Sequence, residues 1–237
     1  APGSGNKSRT KLFDNIERRV EQRIPTAYLL GEAWLGDFRF KVDQRVIVPR
    51  SFFAELLEDG FSPWIDEPDA VERVLDMCTG SGCLAILMAH AFPNAAVTAA
   101  DLSDDALALA HDNVADYGLD DRIELVKSDV FSALEGRRFD FILSNPPYVT
   151  AEAMDALPPE YLHEPRMALA SGEDGLDVVR RLLAGAADHL NPRGIIAVEI
   201  GHNRSIVEAA FPHLPFTWLS CHGGDDMVFM LRREELS

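Results

Sequence analysis

Short apolar segments alternate with longer amphipathic segments from residue 71 to residue 211, and this alternation constrains the fold most strongly. An apolar segment of roughly four to eight residues predicts a buried strand, and apolar residues spaced three or four apart predict a helix. The predicted strands are residues 71–77, 96–100, 122–126, 139–144 and 194–200, and the predicted helices are residues 83–92, 104–117, 176–190 and 204–211. Strands that alternate with helices pair in parallel and are covered on both faces, so we expect an α/β, Rossmann-like fold.

The two ends of the sequence depart from this alternation. Residues 216–221 and 227–231 are predicted strands joined by a Gly-Gly turn, so we expect a seven-stranded, mostly parallel sheet with an antiparallel C-terminal hairpin strand. Near the start, residues 11–23 predict an amphipathic helix, residues 34–48 a β-hairpin and residues 61–70 a linker, with Ser51 as a candidate cap for a helix through Leu57. We therefore predict a small N-terminal fragment, residues 1–68, in which residues 1–10 are a disordered or trimmed leader, and a larger domain, residues 69–237.

The charge balance limits the kind of partner. The chain has 22 Lys and Arg residues against 39 Asp and Glu residues, a net charge of −17. A surface of this sign repels a phosphate backbone and attracts a basic protein, so we expect a protein partner and no direct nucleic-acid substrate. No apolar segment approaches the roughly 18 residues that span a membrane. Three cysteines without framework spacing favour a reducing cytoplasm, and no metal-ligand spacing is present, so no metal site is predicted.

A glycine-containing loop follows the first predicted strand. Residues 76–82 end that strand and open the first helix, where Gly80 and Gly82 permit a tight turn and let a ligand approach the backbone. Asp101 follows the second strand, 19 residues beyond Gly82, at the spacing at which a carboxylate binds the ribose hydroxyls of an adenosine. Asp129, after the third strand, is a candidate acceptor for the adenine amine. Because the glycines also fit the dinucleotide fingerprint, a nicotinamide-dependent dehydrogenase and a non-catalytic nucleotide-binding module stay open at this point.

The tetrapeptide Asn145-Pro146-Pro147-Tyr148 closes the fourth predicted strand. Consecutive prolines remove two backbone donors, so the local carbonyl oxygens are left out of sheet pairing. An Asn side-chain oxygen beside a proline carbonyl provides two fixed acceptors for the hydrogens of a planar NH2 group, and Tyr148 adds an aromatic face. From the tetrapeptide alone, an ordinary Asn-Pro turn is the alternative. Together with the loop it favours methyl transfer to an amide or amine nitrogen, since hydride transfer needs no such acceptors.

These residues resemble those of the HemK-type glutamine N5-methyltransferases, and the likeness runs from about residue 25 to the C-terminus. Further matches are Val48-Pro49-Arg50, Glu164-Pro165 and Gly175-Leu176. The chain is most similar to the PrmB branch, which methylates a glutamine of a large-subunit ribosomal protein. The Pro-Arg-Pro-Glu-Thr motif typical of the release-factor branch is not present near residue 50. Cys78 stands where the wider family has glycine, and Val130 where the release-factor branch often has an aromatic residue.

The resemblance implies S-adenosyl-L-methionine as cofactor and a basic large-subunit ribosomal protein as partner, with residues 1–68 as a substrate-recognition fragment. The implied catalytic residues are Asn145, Pro146, Pro147 and Tyr148. The implied cofactor-binding residues are Asp76, Cys78, Thr79, Gly80, Ser81, Gly82, Asp101, Asp129, Val130 and Asn145. For Arg50 and His163 we expect caps or surface pairing, with a place at the substrate entrance as the alternative, and for Glu199 a structural role at a strand end rather than a catalytic one. A release-factor glutamine methyltransferase and an adenine-N6 nucleic-acid methyltransferase are the alternatives.

Overall fold

A computed structural model describes the backbone of residues 4–236 and the side chains of residue 10 and residues 12–236. The strands are β1 Glu32–Leu35, β2 Phe38–Lys41, β3 Arg73–Met77, β4 Ala96–Asp101, β5 Ile123–Lys127, β6 Phe139–Ser144, β7 Leu190–Glu199, β8 Thr217–Cys221 and β9 Gly224–Arg232. The α-helices are α1 Ser4–Glu21, α2 Thr26–Leu30, α3 Phe53–Glu58, α4 Cys83–Ala91, α5 Asp104–Asp116, α6 Ala151–Ala156, α7 Asp177–His189 and α8 Arg204–Ala210. Short 3-10 helices cover Pro68–Ala70, Pro159–His163, Arg166–Ala168 and Arg233–Glu235.

Seven strands form one sheet in the order β5-β4-β3-β6-β7-β9-β8. Strands β3 to β7 pair in parallel, and β9 runs antiparallel to both of its neighbours. The predicted Rossmann-like sheet with one antiparallel strand from the C-terminal hairpin is therefore confirmed. Strand β4 lies on one side of β3 and β6 on the other, so the chain changes direction across the sheet at β3. Doubly wound sheets bind ligands at such a point, outside the carboxyl ends of the strands.

The three strands at this switch point end in register. Met77 of β3 pairs with Ala100 of β4 and with Ser144 of β6. The residues that end or directly follow these strands therefore emerge at one edge of the sheet. They include Cys78, Asp101 and Asn145, three of the residues that the sequence singled out.

The principal helices agree with prediction. The bounds of α4, α5, α7 and α8 differ from the predicted bounds by one residue at most. The Ser103 hydroxyl oxygen caps α5 by accepting a hydrogen bond from the Ala106 N–H at 3.2 Å. Strand β7 begins four residues earlier than predicted, because Leu190 pairs with Phe139 ahead of the Asn-Pro-Arg-Gly segment. The helices α2 and α6 were not predicted, since so few residues carry little periodicity.

The N-terminal helix is longer than predicted. Helix α1 begins at Ser4, so residues 4–10 are helical and not disordered, and whether they belong to a trimmed leader stays a prediction. Extending an existing helix adds one hydrogen bond for each residue fixed, which lets α1 continue beyond its amphipathic part. Residues 1–3 lie outside the described part of the chain, and the leader prediction for them is untested.

The predicted hairpin over residues 34–48 is shorter than expected. Only β1 and β2 pair in that region, and residues 42–48 form no strand. The apolar residue Val46 is buried against Ala106 and Leu109 of α5. Its hydrophobic character therefore reflects packing on a helix, which the alternation of residue types does not distinguish from strand pairing.

The predicted linker, residues 61–70, begins in the core, although most of its residues are exposed or half-buried. Phe61 is fully buried, and its ring centroid lies 4.6 Å from that of Phe141 in β6. Side chains of α3, such as Phe53 and Leu57, belong to the same hydrophobic cluster. The N-terminal fragment thus packs directly on the sheet, and a domain division at residue 68 stays a prediction.

Candidate active site

Two cavities open at the carboxyl edge of the sheet, and they meet at Asn145. The first cavity has a volume of about 780 Å³ and the second about 860 Å³. Ile47, Asn145 and Ala168 line both of them. Small-molecule sites typically have volumes of roughly 300–1,000 Å³, so each is large enough to hold a substrate or a cofactor. A molecule in one cavity therefore faces a molecule in the other across Asn145.

The loop after β3 forms one wall of the first cavity. Its Cys78 and Thr79 N–H groups both donate to the Ala100 carbonyl, at 2.9 and 3.0 Å, which ties the loop to β4. Cys78 has φ +66° and Gly80 φ +56°, and both line the cavity. A Cβ atom on Gly80 would have no neighbour within 4 Å, so the space beside this backbone is open to a ligand. The positive φ of Cys78 gives a physical reason for glycine at this position in similar proteins.

Four other residues of the loop segment do not line the first cavity. Asp76, Thr79 and Ser81 are buried, and Gly82 begins α4 with φ +77°. A Cβ atom on Gly82 would lie 3.1 Å from the Ala110 Cβ, so the absence of a side chain lets α4 and α5 approach. These residues support the loop from behind, and direct contact with a cofactor stays a prediction for them.

Asp76 is a buried acid beneath the loop. The Thr79 hydroxyl donates to its Oδ2 at 2.5 Å, whereas Oδ1 has no hydrogen-bond partner within the described part of the chain. Burial raises the pKa of Asp76 to about 7, despite the opposing effect of the Thr79 hydrogen bond. The neutral carboxyl is therefore strongly populated near physiological pH.

Asp101, at the end of β4, is fixed against the first cavity. Its Oδ2 accepts from the Gly80 N–H and its Oδ1 from the Ser103 N–H, each at 2.9 Å. Burial raises the pKa of this carboxyl above its usual range. Each carboxylate oxygen keeps a further lone pair, so the side chain is suited to accept from two neighbouring hydroxyl groups.

Asp129 and Val130 lie on the opposite wall of the first cavity. The Asp129 Oδ1 accepts from Arg181 at 2.7 Å, and this guanidinium holds the pKa of the carboxyl below its usual range. Val130 has φ +53°, a costly conformation for a β-branched residue, and the Ser128 hydroxyl donates to its carbonyl at 2.5 Å. Val130 therefore contributes an apolar wall, and the amine-accepting role of Asp129 stays a prediction beside its ion pair.

The tetrapeptide after β6 divides between the two cavities. Pro147 lines the first, Pro146 and Tyr148 line the second, and Asn145 lines both. The Asn145 Nδ2 group donates to the Arg50 carbonyl at 3.4 Å. The Tyr148 carbonyl accepts from the Asn203 side chain at 2.6 Å. The predicted catalytic residues are thus together, and they stand between the two sites.

Several residues of the second cavity were not predicted from the sequence. Arg50 lines this cavity and donates two hydrogen bonds to the buried Glu164, at 2.7 and 2.6 Å, with its guanidinium 4.9 Å above the Tyr161 ring centroid. Glu199 is buried at the end of β7 and also lines it. From the sequence, the substrate entrance is only the alternative to surface pairing for Arg50, and its partner Glu164 lies more than a hundred residues away. His163 behaves as expected: it pairs with the Gln22 carbonyl at 2.8 Å and is not part of either lining.

N-terminal residues close the first cavity, which the sequence did not indicate. Tyr28 lines it and donates through its hydroxyl to the Val46 carbonyl at 2.5 Å. Arg18 of α1 and residues 43–47 line it too.

In the range 4–236 no helix is long and apolar enough to cross a membrane. The same range holds no group of three or more His, Cys, Asp or Glu residues arranged to bind a metal ion.

A parallel sheet of this strand order, with a ligand cavity at its switch point, is the architecture of the class I methyltransferases, which use S-adenosylmethionine. Two solved structures share the fold. The hMettl16 catalytic domain has a TM-score of 0.60 and 15% sequence identity, and the match covers 94% of this chain and 79% of that one. A methyltransferase from Pyrococcus furiosus has a TM-score of 0.57 and 17% sequence identity, and the match covers 96% of this chain and 98% of that one. The methyltransferase small domain model matches residues 64–174. These solved structures establish the fold, and the choice between a methyltransferase and a dehydrogenase or a non-catalytic module rests on the curated relatives.

Curated relatives define the family more narrowly. The ribosomal protein uL3 glutamine methyltransferase of Neisseria gonorrhoeae is 59% identical over 93% of this chain and 74% of its own length. The protein of the same name from Bordetella pertussis is 55% identical over 97% of this chain and 77% of its own length. This chain belongs to the family of ribosomal protein uL3 glutamine methyltransferases.

The first cavity fits the cofactor of this family. Asp101, Gly80 and Val130 all line this cavity, and we predict that they contact the ribose hydroxyls, the bound cofactor and the adenine in turn. S-adenosylmethionine is accordingly the cofactor of this protein. The assignment of each contact to an individual residue stays a prediction.

Proposed function

We propose that this protein transfers the methyl group of S-adenosylmethionine to the N5 amide nitrogen of a glutamine side chain in uL3, a protein of the large ribosomal subunit. The observation that carries the proposal is the position of Asn145 in the wall shared by the two cavities. The cofactor then occupies the first cavity, and the glutamine side chain enters through the second. The names of the curated relatives support uL3 as the protein that carries this glutamine.

Two oxygens orient the nitrogen that is methylated, and together we call them the amide clamp: Asn145 Oδ1 and the Pro146 carbonyl oxygen. An amide nitrogen is a weak nucleophile because its lone pair is delocalised into the carbonyl group. Each oxygen of the amide clamp accepts one N–H of the glutamine, so the nitrogen is held toward the first cavity. The same oxygens place partial negative charge where positive charge develops on the nitrogen as the new N–C bond forms.

The remaining steps need little from the protein. S-adenosylmethionine supplies, when bound, a methyl group on a positively charged sulfur. Tyr148 lines the second cavity and gives the flat amide an aromatic surface to pack on. Once methylated, the nitrogen is acidic, so one N–H proton leaves to water through the amide clamp and no strong base has to act beforehand. We therefore assign no nucleophilic role to a Ser, His or Cys side chain.

The charge of the protein supports a basic substrate. Its net charge is −17, and Glu55 and Glu58 line the second cavity. The Arg50 guanidinium in the same lining is paired with Glu164, and Glu55 accepts hydrogen bonds from His222, so the exposed Glu58 is the acid that faces an incoming segment. The proposal therefore includes a basic uL3 segment around the glutamine and no nucleic-acid substrate. It also includes the cytoplasm as location, where the three unpaired cysteines are in keeping with a reducing compartment.

The test is methylation of recombinant uL3 with labelled S-adenosylmethionine, followed by mass mapping of the modified residue. Asn145→Ala removes one acceptor of the amide clamp, so we expect kcat to fall by about 100-fold while cofactor affinity by calorimetry stays within about threefold. Asn94→Ala is the matched control, because Asn94 donates to the Asp69 carbonyl at 3.0 Å and lines neither cavity. It should keep the wild-type rate.

Two outcomes contradict different parts of the proposal. Near-normal turnover by Asn145→Ala would refute the amide clamp. Label that enters a release factor or a nucleic acid, and not uL3, would refute the substrate while leaving the methyltransferase chemistry in place.

A further inference from the structure

Glu199 is a buried acid in the wall of the second cavity. It is 2% exposed, ends β7 and lines the second cavity. Its Oε2 accepts from the Ser51 hydroxyl at 2.6 Å and from the Phe52 N–H at 3.1 Å. The carboxylate is thus held by donors from a segment nearly 150 residues away. Burying a carboxyl group costs more free energy than burying apolar side chains of similar size, so a buried acid at this position indicates a specific role.

The reason lies in the orientation of the Asn145 amide. Its Nδ2 group donates to the Arg50 carbonyl at 3.4 Å, and the Glu199 carboxyl, held by the neighbouring Ser51 and Phe52, lies close enough to the Asn145 side chain to be a second acceptor. With two acceptors on the nitrogen side, Oδ1 is left to face the cavities. An asparagine amide that is not held can turn by half a rotation and exchange its oxygen and nitrogen. The turned amide would offer N–H donors to a glutamine NH2 group, which is itself a donor, and binding would fail.

We infer that Glu199 is the positioning residue that keeps Asn145 Oδ1 directed at the glutamine nitrogen. It does not touch the substrate nitrogen and acts through Asn145. Arg50 contributes one carbonyl acceptor, but a single hydrogen bond of 3.4 Å is long, so a second acceptor is needed to fix the amide. This inference rests on the proposed function, because it concerns the same amide clamp.

Glu199→Gln tests the inference with little change in shape. The Ser51 and Phe52 donors keep the glutamine carbonyl oxygen in the Oε2 position, so the new NH2 group takes the other position. The new NH2 group is a donor at the position where the carboxylate is an acceptor. The Asn145 amide therefore rotates so that its Oδ1 accepts from this NH2 group. We expect kcat on uL3 to fall by about 100-fold, while cofactor affinity stays within about threefold. Glu135→Gln is the control: it removes the same charge from an exposed acid that lines neither cavity.

A double-mutant cycle separates positioning from a general structural effect. If Glu199 acts through Asn145, then Glu199→Gln has no further effect on kcat in the Asn145→Ala background. A loss of similar size in both backgrounds would overturn the inference. Ser51→Ala is the second variant if Glu199→Gln does not fold: it releases Oε2, and we expect a fall of about tenfold in kcat that also vanishes with Asn145→Ala. A Ser51→Ala loss that persists there would equally overturn it.

The failure of the inference is distinct from the failure of the proposed function. If Asn145→Ala is inert and Glu199→Gln turns over uL3 normally, the amide clamp stands and the role of Glu199 is refuted. If Asn145→Ala is itself active, the amide clamp and the role of Glu199 fall together.

Discussion

Gly201, just beyond β7, sets the position of the Tyr148 ring. A Cβ atom on Gly201 would lie 2.8 Å from Tyr148 Cε2 and 3.2 Å from Cζ. Carbon atoms in contact are separated by about 3.5–4.0 Å, so an alanine at 201 displaces the ring by about 1 Å. The Tyr148 backbone does not follow easily, because its carbonyl accepts from Asn203 at 2.6 Å. The ring therefore tilts away from the second cavity wall.

We expect Gly201→Ala to lower kcat on uL3 by about 100-fold, since a displacement of about 1 Å in a positioned group costs that much in rate. The backbone has φ +53°, so alanine strain of about 1 kcal/mol adds to overpacking of about 1–3 kcal/mol. The free energy of unfolding should thus fall by about 2–4 kcal/mol in urea denaturation. Cofactor affinity should not change, because Tyr148 does not line the first cavity.

Gly118→Ala is the matched control for this substitution. Gly118 has φ +64°, and a Cβ atom there would have no neighbour within 4 Å. It carries the same backbone strain, about 1 kcal/mol, without any contact with the site. If both variants turn over uL3 at similar rates, the placement of the Tyr148 ring does not set kcat, and the reasoning is refuted.

Three further predictions concern single side chains. Arg50→Ala leaves the Glu164 carboxylate buried without its partner, and because Arg50 is 40% exposed we expect a loss of only about 2 kcal/mol in unfolding free energy by urea titration. Asp101→Asn should weaken S-adenosylmethionine binding by about tenfold or more in calorimetry with little change in kcat at saturation, and unchanged affinity would exclude a ribose contact. Asp76 has a folded pKa raised to about 7, so its contribution to stability is complete below the unfolded pKa and is lost as pH rises through about 7. Urea titrations from pH 5 to pH 8 should show this decline, and Asp76→Asn should reduce its slope by up to about 1.4 kcal/mol per pH unit.

The parts of the fold that the sequence predicts well are those whose residues make their contacts within one element. Strand β6 has the predicted bounds, residues 139–144. A short apolar segment between charged residues and prolines is typical of a strand buried in a parallel sheet. The helix bounds agree for a similar reason, since caps such as Ser103 lie next to the helix they begin. The same locality placed the loop after β3, Asp101 and the tetrapeptide at the ends of strands.

The parts that the sequence did not predict depend on partners far along the chain. From the sequence, Val46 reads as a strand residue, and only the structure shows that it packs against α5. From the sequence, Arg50 reads as a surface cation, and only the structure shows its ion pair with the buried Glu164. Likewise, Glu199 reads as an ordinary strand-end acid, and only the structure shows that the Ser51 hydroxyl donates to it. A local sequence pattern indicates whether a residue is buried, but it does not indicate which distant group forms the hydrogen bond or ion pair that a buried polar side chain requires.

The position of Asn145 also explains why the cofactor and the protein substrate are chosen by different parts of the chain. The first cavity is built largely from strand-end residues of the sheet, such as Cys78 and Asp101, which the fold itself places. The second takes much of its lining from residues 47–58 and from the C-terminal hairpin, such as Gly223 and Met227. Residues 50–58 and the hairpin line the second cavity alone, so we expect changes there to alter which side chain reaches the amide clamp without disturbing cofactor binding. A shared class I fold therefore leaves the substrate undetermined, and we expect the residues that line the second cavity alone to select it.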